Sequence, residues 1–238
     1  MKLIKRLANL GYGSRREVQR LIHYGAVTDA SGRVLGENET ASHDEIRVRG
    51  DALDPAAPLT LILNKPPGYT CSAEDPGATI YELLPPRFAR RNPGLNPIGR
   101  LDKATTGLLL LTDDGKLLHR IIHPKSHCPK VYQAILDRPL DGHETALFAS
   151  GTLVLNGETK PLLPATLEII GEKETLLTLH EGRYHQVRRM FAAAGNHVIA
   201  LRRVSLGGLS LPPALAEGEW RELAPEEHSA IFAMRDSK

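Results

Sequence analysis

Apolar positions along the 238 residues fall into two different rhythms. Near the start, Leu3, Ile4, Leu7 and Leu10 recur at helical spacing and stop at Gly11. Ser14-Arg15-Arg16-Glu17 follows, an N-cap serine with a glutamate three residues on, which is the pattern of a capping box. Val18, Leu21 and Ile22 continue that second helix on one face, with Arg15, Arg16 and Arg20 off it, and Gly25 is placed to end it. Short strands are predicted at 26–28 and 33–34 around a turn at 29–32, and again at 45–48. Residues 51–58 carry two prolines and no periodicity. They read as a linker, with flexibility expected there, between a small unit over 1–50 and a large one over 59–238.

In the large unit the rhythm shifts toward strands. Continuous or alternating apolar runs predict strands at 59–63, 108–112, 130–136, 165–170, 176–180 and 198–206. Helices are predicted at 115–123, 140–149 and 185–194. The first should turn Leu117, Leu118, Ile121 and Ile122 inward, and the last should bury Val187, Met190, Phe191 and Ala194 and stop at Gly195. A single helical turn is predicted at 80–84. The stretch 85–98 holds four prolines and the basic residues Arg87, Arg90 and Arg91, so it reads as a loop offering positive charge to a partner. Strands joined by turns or single helices, without regular βαβ alternation, predict an α+β fold whose mixed sheet is mainly antiparallel and flanked by helices.

Composition refines this picture at a few points. An apolar content of 41% supports a packed core, while aromatic residues make up only 5%, so any stacking on a ligand falls to a few rings or arginines. The net charge of +2 says little, but its distribution says more. Lys2, Lys5, Arg6, Arg15, Arg16 and Arg20 face only Glu17 in the first twenty residues, and 183–203 holds five arginines, two histidines and no acid. Such clusters suit phosphate contact, though each taken alone also reads as a solvated basic face. The two cysteines, Cys71 and Cys128, fit free thiols in a reducing cytoplasm. His119, His123, His127 and His185 have no zinc spacing, so no metal is expected, and His185 is expected to orient its loop. No apolar run approaches the length of a membrane span, and the charged start lacks the apolar core of a secretion signal.

The most informative stretch is 99–115, Gly-Arg-Leu-Asp-Lys-Ala-Thr-Thr-Gly-Leu-Leu-Leu-Leu-Thr-Asp-Asp-Gly. Taken alone, Arg100 and Asp102 read as a surface ion pair before a buried strand. The whole stretch resembles the catalytic-loop signature of the pseudouridine synthases, which implies that Asp102 is the catalytic carboxylate. Three other stretches resemble the same family: Asn64-Lys65-Pro66-Pro67-Gly68, the K-x-Y of Lys130-Val131-Tyr132, and Gly182-Arg183-Tyr184-His185-Gln186-Val187-Arg188. By that resemblance Tyr132 is the active-site tyrosine and Arg188 pairs with the carboxylate, and the catalytic cleft runs across the sheet. One departure is Ala104, where relatives often carry a polar residue two places after the aspartate, so Asp102 is expected to act without a second acid.

The pattern L-x-x-x-G-x-x-S-R-R-E-x-x-x-L-I-x-x-G-x-V over 7–27 resembles the S4 RNA-binding domain. It implies a small N-terminal S4-like α/β domain whose RNA face is Ser14, Arg15, Arg16 and Arg20. Arg100, Arg183, Arg189, Arg202 and Arg203 are expected to add RNA contacts beside the catalytic cleft. The stretches 127–132 and 181–198 resemble the small-subunit ribosomal RNA branch. The resemblance thus implies a monomeric cytoplasmic isomerase of 16S ribosomal RNA or a small-subunit assembly intermediate. The large-subunit branch, or a silent S4-type RNA-binding assembly factor, is the alternative. The chemistry moves no atoms in or out, so no cofactor is expected. Whether Asp102 would act first at C1′, at C6 of the base or on the C2′ proton is open at the level of sequence.

Overall fold

A computed structural model describes residues 2–72 and 74–233; residue 73 and the end of the large unit, 234–238, lie outside the described residues. In the small unit, α1 (Leu3–Asn9) and α2 (Arg15–His23) pack on a three-stranded antiparallel sheet of β1 (Val27–Thr28), β2 (Arg47–Val48) and β3 (Asp51–Ala52). The capping box forms as predicted: Ser14 Oγ accepts from Glu17 N at 3.3 Å, and Glu17 Oε2 accepts from Ser14 N at 2.7 Å. Leu3, Leu7, Val18, Ile22, Val27, Leu35, Ile46 and Val48 make a core of their own.

The proposed linker behaves differently from its composition. Asp51 and Ala52 belong to β3, opposite Val48 and Arg47. Beyond them, Arg87 forks onto the Asp54 carboxylate at 2.7 and 2.9 Å, Arg91 Nη1 donates to Pro55 O at 2.9 Å, and Asn92 N donates to Asn9 O at 2.8 Å. At Gly11 (φ +90°) an added Cβ would stand 2.3 Å from Arg87 O, so only glycine admits this approach of the two units. The lack of periodicity is real, but long-range hydrogen bonds tie the segment down, and they leave no trace in local composition.

The large unit is built on a nine-stranded sheet among the described residues. Its strands are β4 (Thr60–Lys65), β5 (Asn96–Pro97), β6 (Thr106–Thr112), β7 (Lys130–Leu136), β8 (Thr166–Gly171), β9 (Glu174–Leu179), β10 (Val198–Leu206), β11 (Leu209–Ser210) and β12 (Trp220–Glu222). The order is β12-β4-β6-β10-β7-β9-β8, with β5 beside β6 and β11 beside β10, and β6–β10 is the parallel pair in an otherwise antiparallel sheet. The helices are α3 (Gly115–Ile122), α4 (Glu144–Ala149), α5 (Gln186–Ala193) and α6 (Pro225–Ala230).

The unbroken apolar run 108–111 lies mid-sheet and is covered on both faces. Leu61, Leu63, Leu109 and Leu111 face a cluster that includes Ile80, Phe88, Leu95 and Leu101. Ile62, Leu108 and Leu110 face the opposite side, with Ile121, Leu206 and Ile231. A third cluster joins Ala134, Leu136, Leu177 and Leu179 to Phe148 of α4 and Val187, Met190 and Phe191 of α5; Phe148 and Phe191 meet edge to face at 5.2 Å. Two expectations are corrected. Ile122 is 46% exposed, because α3 turns Ile121 and Leu117 to the sheet. The 85–98 loop does not present all its basic residues outward: Arg87 is spent on Asp54, and Arg91 lies buried on Asp113. β12 and α6 carry too few apolar positions to be read from sequence; β12 forms by pairing with the edge of β4.

Arg91 and Asp113 are each 1% exposed at the side chain and 3.3 Å apart, and Asp113 Oδ1 also accepts from Leu59 N at 2.6 Å. Asp113→Ala would strand a buried guanidinium and is expected to lower stability by about 3–5 kcal/mol. Urea unfolding of parent and variant measures this, and a loss under about 1 kcal/mol would mean that water reaches the pair.

Candidate active site

The loop carrying Asp102 runs directly into β6, and the sheet register shows what stands beside its end. Arg203 of β10 lies opposite Gly107 of β6 on one side and Tyr132 of β7 on the other. Gly107 (φ +98°) has no room for a side chain, since a Cβ there would meet Arg203 O at 2.3 Å. Gly107, Arg203 and Tyr132 thus lie level across three adjacent strands. Leu101, next to Asp102, is buried in the cluster that faces Leu63 and Leu109. Tyr132 packs, half-buried, against that same cluster and against the α4–α5 core. The aspartate loop and the tyrosine therefore share one face of the sheet.

What holds the loop is a buried lysine. Lys65, at the end of β4, is fully buried. Its Nζ lies within donating distance of Thr105 O at 2.8 Å, Pro66 O at 3.1 Å, and Asp102 O and Lys103 O at 3.2 Å. An ammonium has three protons, so these four carbonyls share them. Burial pulls the Lys65 pKa down, partly countered by the Cys71 and Asp102 side chains nearby. Three further contacts close the loop. Thr105 N donates to Asp102 O at 2.9 Å, Gly68 N donates to Lys103 O at 2.8 Å, and the Cys71 sulfur meets both the N–H and the carbonyl of Leu101 at 3.4 Å. Burial also pushes the Cys71 thiol pKa up. Every one of these contacts is to backbone or to sulfur, and none engages the Asp102 carboxylate. Lys65 is the structural residue that sequence reasoning passed over; its only signal was the Asn-Lys-Pro-Pro-Gly motif.

The Asp102 side chain is 34% exposed, and its Oδ1 lies 3.4 Å from His185 Nε2. His185 sits at the N-cap of α5 in the left-handed region, φ 49° and ψ 33°, which turns its ring toward the loop. The expected Arg188–Asp102 pair is not formed: Arg188 Nη1 donates to Val198 O at 2.7 Å, at the start of β10. The carbonyl satisfies the guanidinium there, and the imidazole takes the place beside the carboxylate.

Several arginines assigned to RNA are already engaged by the chain, Arg203 inside the sheet and Arg183 and Arg189 at partly exposed positions. Arg203 is 1% exposed and donates from Nε to Leu108 O at 2.8 Å, because β10 is an interior strand. Arg183 binds Glu158, Glu181 and the carbonyls of Lys160 and Pro161. Arg189 binds Glu158 at 2.6 Å, Asn156 O at 2.7 Å and Tyr184 O at 3.1 Å. Arg183 and then Arg189 hold the Glu158 carboxyl below its ordinary range. These acids come from 158 and 181, outside the acid-free window 183–203, so charge counting along the chain could not find them. Arg202 stays partly exposed, 3.6 Å from Glu217, and Arg100 is well exposed, 2.9 Å from Asp75. Ser14 uses its hydroxyl as the helix cap. Arg15, Arg16 and Arg20 are exposed, and their side chains make no ion pair or hydrogen bond among the described residues.

A lone carboxylate on a rigid loop, with a tyrosine on the same sheet face and a histidine at its side, defines a site for nucleophilic or charge-stabilising chemistry on one substrate. The family model described as RNA pseudouridylate synthase matches residues 60–193, from β4 to the end of α5. Ribosomal small subunit pseudouridine synthase A of Pasteurella multocida (strain Pm70) is 45% identical over 231 residues, covering 95% of this chain and 97% of that protein. A Bacillus subtilis (strain 168) protein, described as uncharacterized RNA pseudouridine synthase YtzG, is 41% identical over 235 residues, covering 95% and 96%. A solved structure titled "Crystal structure of pseudouridylate synthase" superposes with a TM-score of 0.69 at 38% identity, covering 97% of this chain and 99% of that one. The chain belongs to the RNA pseudouridylate synthase family and is thereby an isomerase. The matched residues include Asp102, Tyr132 and Arg188 and exclude the small N-terminal unit.

Lys65→Met keeps the length of the side chain and removes its donors. The loop should then drift, and misplacement of a reacting group by about 1 Å lowers kcat on the order of 100-fold. Tritium release from C5-labelled uridine in RNA measures turnover, with circular dichroism as the check on folding. An unchanged kcat would show that the loop needs no ammonium beneath it.

Proposed function

We propose that this chain converts one uridine of small-subunit (16S) ribosomal RNA to pseudouridine, with Asp102 as the acting carboxylate. The observation that carries the reading is the contrast within one loop: its backbone is pinned by buried Lys65, while the Asp102 carboxylate remains one-third exposed. The near full-length similarity to ribosomal small subunit pseudouridine synthase A supports the choice of RNA.

The reaction breaks the bond from C1′ to N1, turns the detached uracil and joins C5 to C1′. C5 gives up a proton and N1 gains one, so product and substrate have the same composition and the oxidation level does not change. Asp102 must be ionised to act, and the imidazole Nε2 of His185 stands 3.4 Å from its Oδ1. Tyr132 offers a flat apolar face to the base and a hydroxyl near C5, where a proton must leave. The uridine has to quit its stack to reach the loop, at a cost of a few kcal/mol. Arg188, bound to Val198 O, acts in this reading by setting the start of α5, which carries His185. The N-terminal unit acts as an S4-like RNA-binding module through Arg15, Arg16 and Arg20, with Arg100 and Arg202 the partly free cations near the cleft. The protein works as a cytoplasmic monomer; no helix among the described residues is long and apolar enough to cross a membrane.

Asp102→Asn should keep the fold and the affinity for RNA and abolish isomerisation. Tritium release on small-subunit and large-subunit ribosomal RNA, with mapping of the modified position, checks both parts. Residual activity within about tenfold of the parent would remove Asp102 from the chemistry, and turnover confined to large-subunit RNA would shift the substrate.

Replacing Arg15, Arg16 and Arg20 together by alanine should weaken RNA binding and flatten its salt dependence. Each lost phosphate contact lowers the slope of log K against log salt by about 0.7 to 0.9. Filter-binding titrations across a salt series measure the slope, and one equal to the parent's would make the basic helix a solvated face only.

A further inference from the structure

Beside the catalytic loop the chain exposes an aromatic ring that the chemistry above does not use. Tyr184 is 76% exposed, in a protein with only six tyrosines and a 5% aromatic content. Its ring stacks on that of His185, with centroids 3.9 Å apart and planes 15° from parallel. His185 in turn reaches Asp102 through Nε2 at 3.4 Å. One face of the tyrosine is thus covered by imidazole, and much of the rest of the side chain stands in solvent at the edge of the carboxylate's site.

The pair is held in this posture from below. Arg189 donates to the carbonyl of Tyr184 at 3.1 Å and is itself fixed by Glu158 and Asn156. Arg183 N donates to Gln186 Oε1 at 2.9 Å, Gln186 Nε2 donates to Glu181 Oε1 at 3.1 Å, and the Arg183 guanidinium is clamped by Glu158 and Glu181. His185 adopts a positive φ of 49°, a conformation that residues other than glycine seldom take. A network of two arginines and two glutamates therefore keeps a strained backbone in place. Its visible product is a tyrosine turned away from every hydrophobic cluster. A tyrosine gains most by burying its ring, so a scaffold that presents the ring to solvent next to a reactive carboxylate needs a ligand that restores the burial.

We propose that the Tyr184–His185 stack is a platform for a nucleobase neighbouring the target uridine in the RNA strand. The inference rests on the RNA reading given above. A flipped uridine leaves its neighbours without a stacking partner, and an aromatic face accepts any base, because every base has a π-face. A base seated on Tyr184 lies one ring beyond His185 and so borders the position of the substrate. Tyr184 is a positioning residue in this scheme and touches no reacting atom.

The test compares Tyr184→Ala and Tyr184→Phe with the parent, in the full chain, on tritium-labelled small-subunit ribosomal RNA and on a single-stranded oligouridylate. The ring is exposed, so both variants are expected to fold, and thermal unfolding checks this. Loss of one base stack should raise KM for the ribosomal RNA, and Kd for the oligonucleotide, about 5- to 150-fold in the alanine variant, with kcat within about threefold of the parent. The phenylalanine variant keeps the π-face and should stay within about threefold of the parent on both probes. Unchanged KM and Kd in Tyr184→Ala would overturn the platform. Equal losses in the two variants would overturn it too, since they would assign the contact to the hydroxyl. The oligonucleotide separates this inference from the choice of RNA. If the parent does not turn over small-subunit RNA, yet Tyr184→Ala still weakens oligouridylate binding and Tyr184→Phe does not, the substrate reading fails and the platform stands.

Discussion

The active site depends on a buried ammonium that meets no carboxylate. Lys65 ends β4 inside the sheet and gives its protons to the carbonyls of Asp102, Lys103 and Thr105, with that of Pro66 sharing them. Burying a charge is costly unless oxygen dipoles replace water, and the carbonyls of a tight turn do this without neutralising any side chain. Had Lys65 paired with Asp102 through the carboxylate, the loop would be equally firm and that carboxylate already engaged. Bonding the backbone of the loop fixes its position without using the Asp102 side chain. The Cys71 contacts to Leu101 and the burial of Leu101 itself finish the task on the other side of the aspartate.

The sheet supplies the second constraint. A parallel pairing of β6 with β10, inside an otherwise antiparallel sheet, brings Gly107, Arg203 and Tyr132 level. Gly107 lets the two backbones close to a distance that any side chain would block. The Asp102 loop and the tyrosine on β7 thereby meet on one face although thirty residues separate them in sequence. Charge is sorted by the same architecture. Arginines on or beneath the large sheet, such as Arg203, Arg183 and Arg189, are consumed by carbonyls and by Glu158 and Glu181. Those on the surface of α2 are left to solvent. Such surface cations suit salt-dependent contact with phosphate, whereas the engaged ones tie the segments around α5 and β10 together.

Much was legible from sequence where the signal is local. The capping box at Ser14 and Glu17, the strands 130–136 and 198–206, the helix that begins at Gly115, and the buried run 108–111 all follow from spacing and side-chain chemistry over a few residues. The family was legible as a resemblance carried by the motif at 99–115, and the family match agrees with it. What was not legible shares one cause: the contacts that hold 51–58, Arg87 and Arg91, Arg183, Arg189 and Arg203, and the placing of Arg188 on Val198, are made outside the short windows that a sequence pattern covers.

The sequence by itself determined most of the longer helices and strands, where the basic residues cluster, and that Asp102 has Ala104 rather than an acid two places on. These are properties of short windows, set by periodicity, capping and composition. Only the tertiary structure decided which cations are spent inside, that Lys65 carries the loop, that His185 rather than Arg188 stands beside Asp102, and that Tyr184 is left outside on an imidazole. The reason is physical: a side chain's partner is chosen by distance and burial after the sheet has closed, and neither quantity exists until strands remote in the chain have paired.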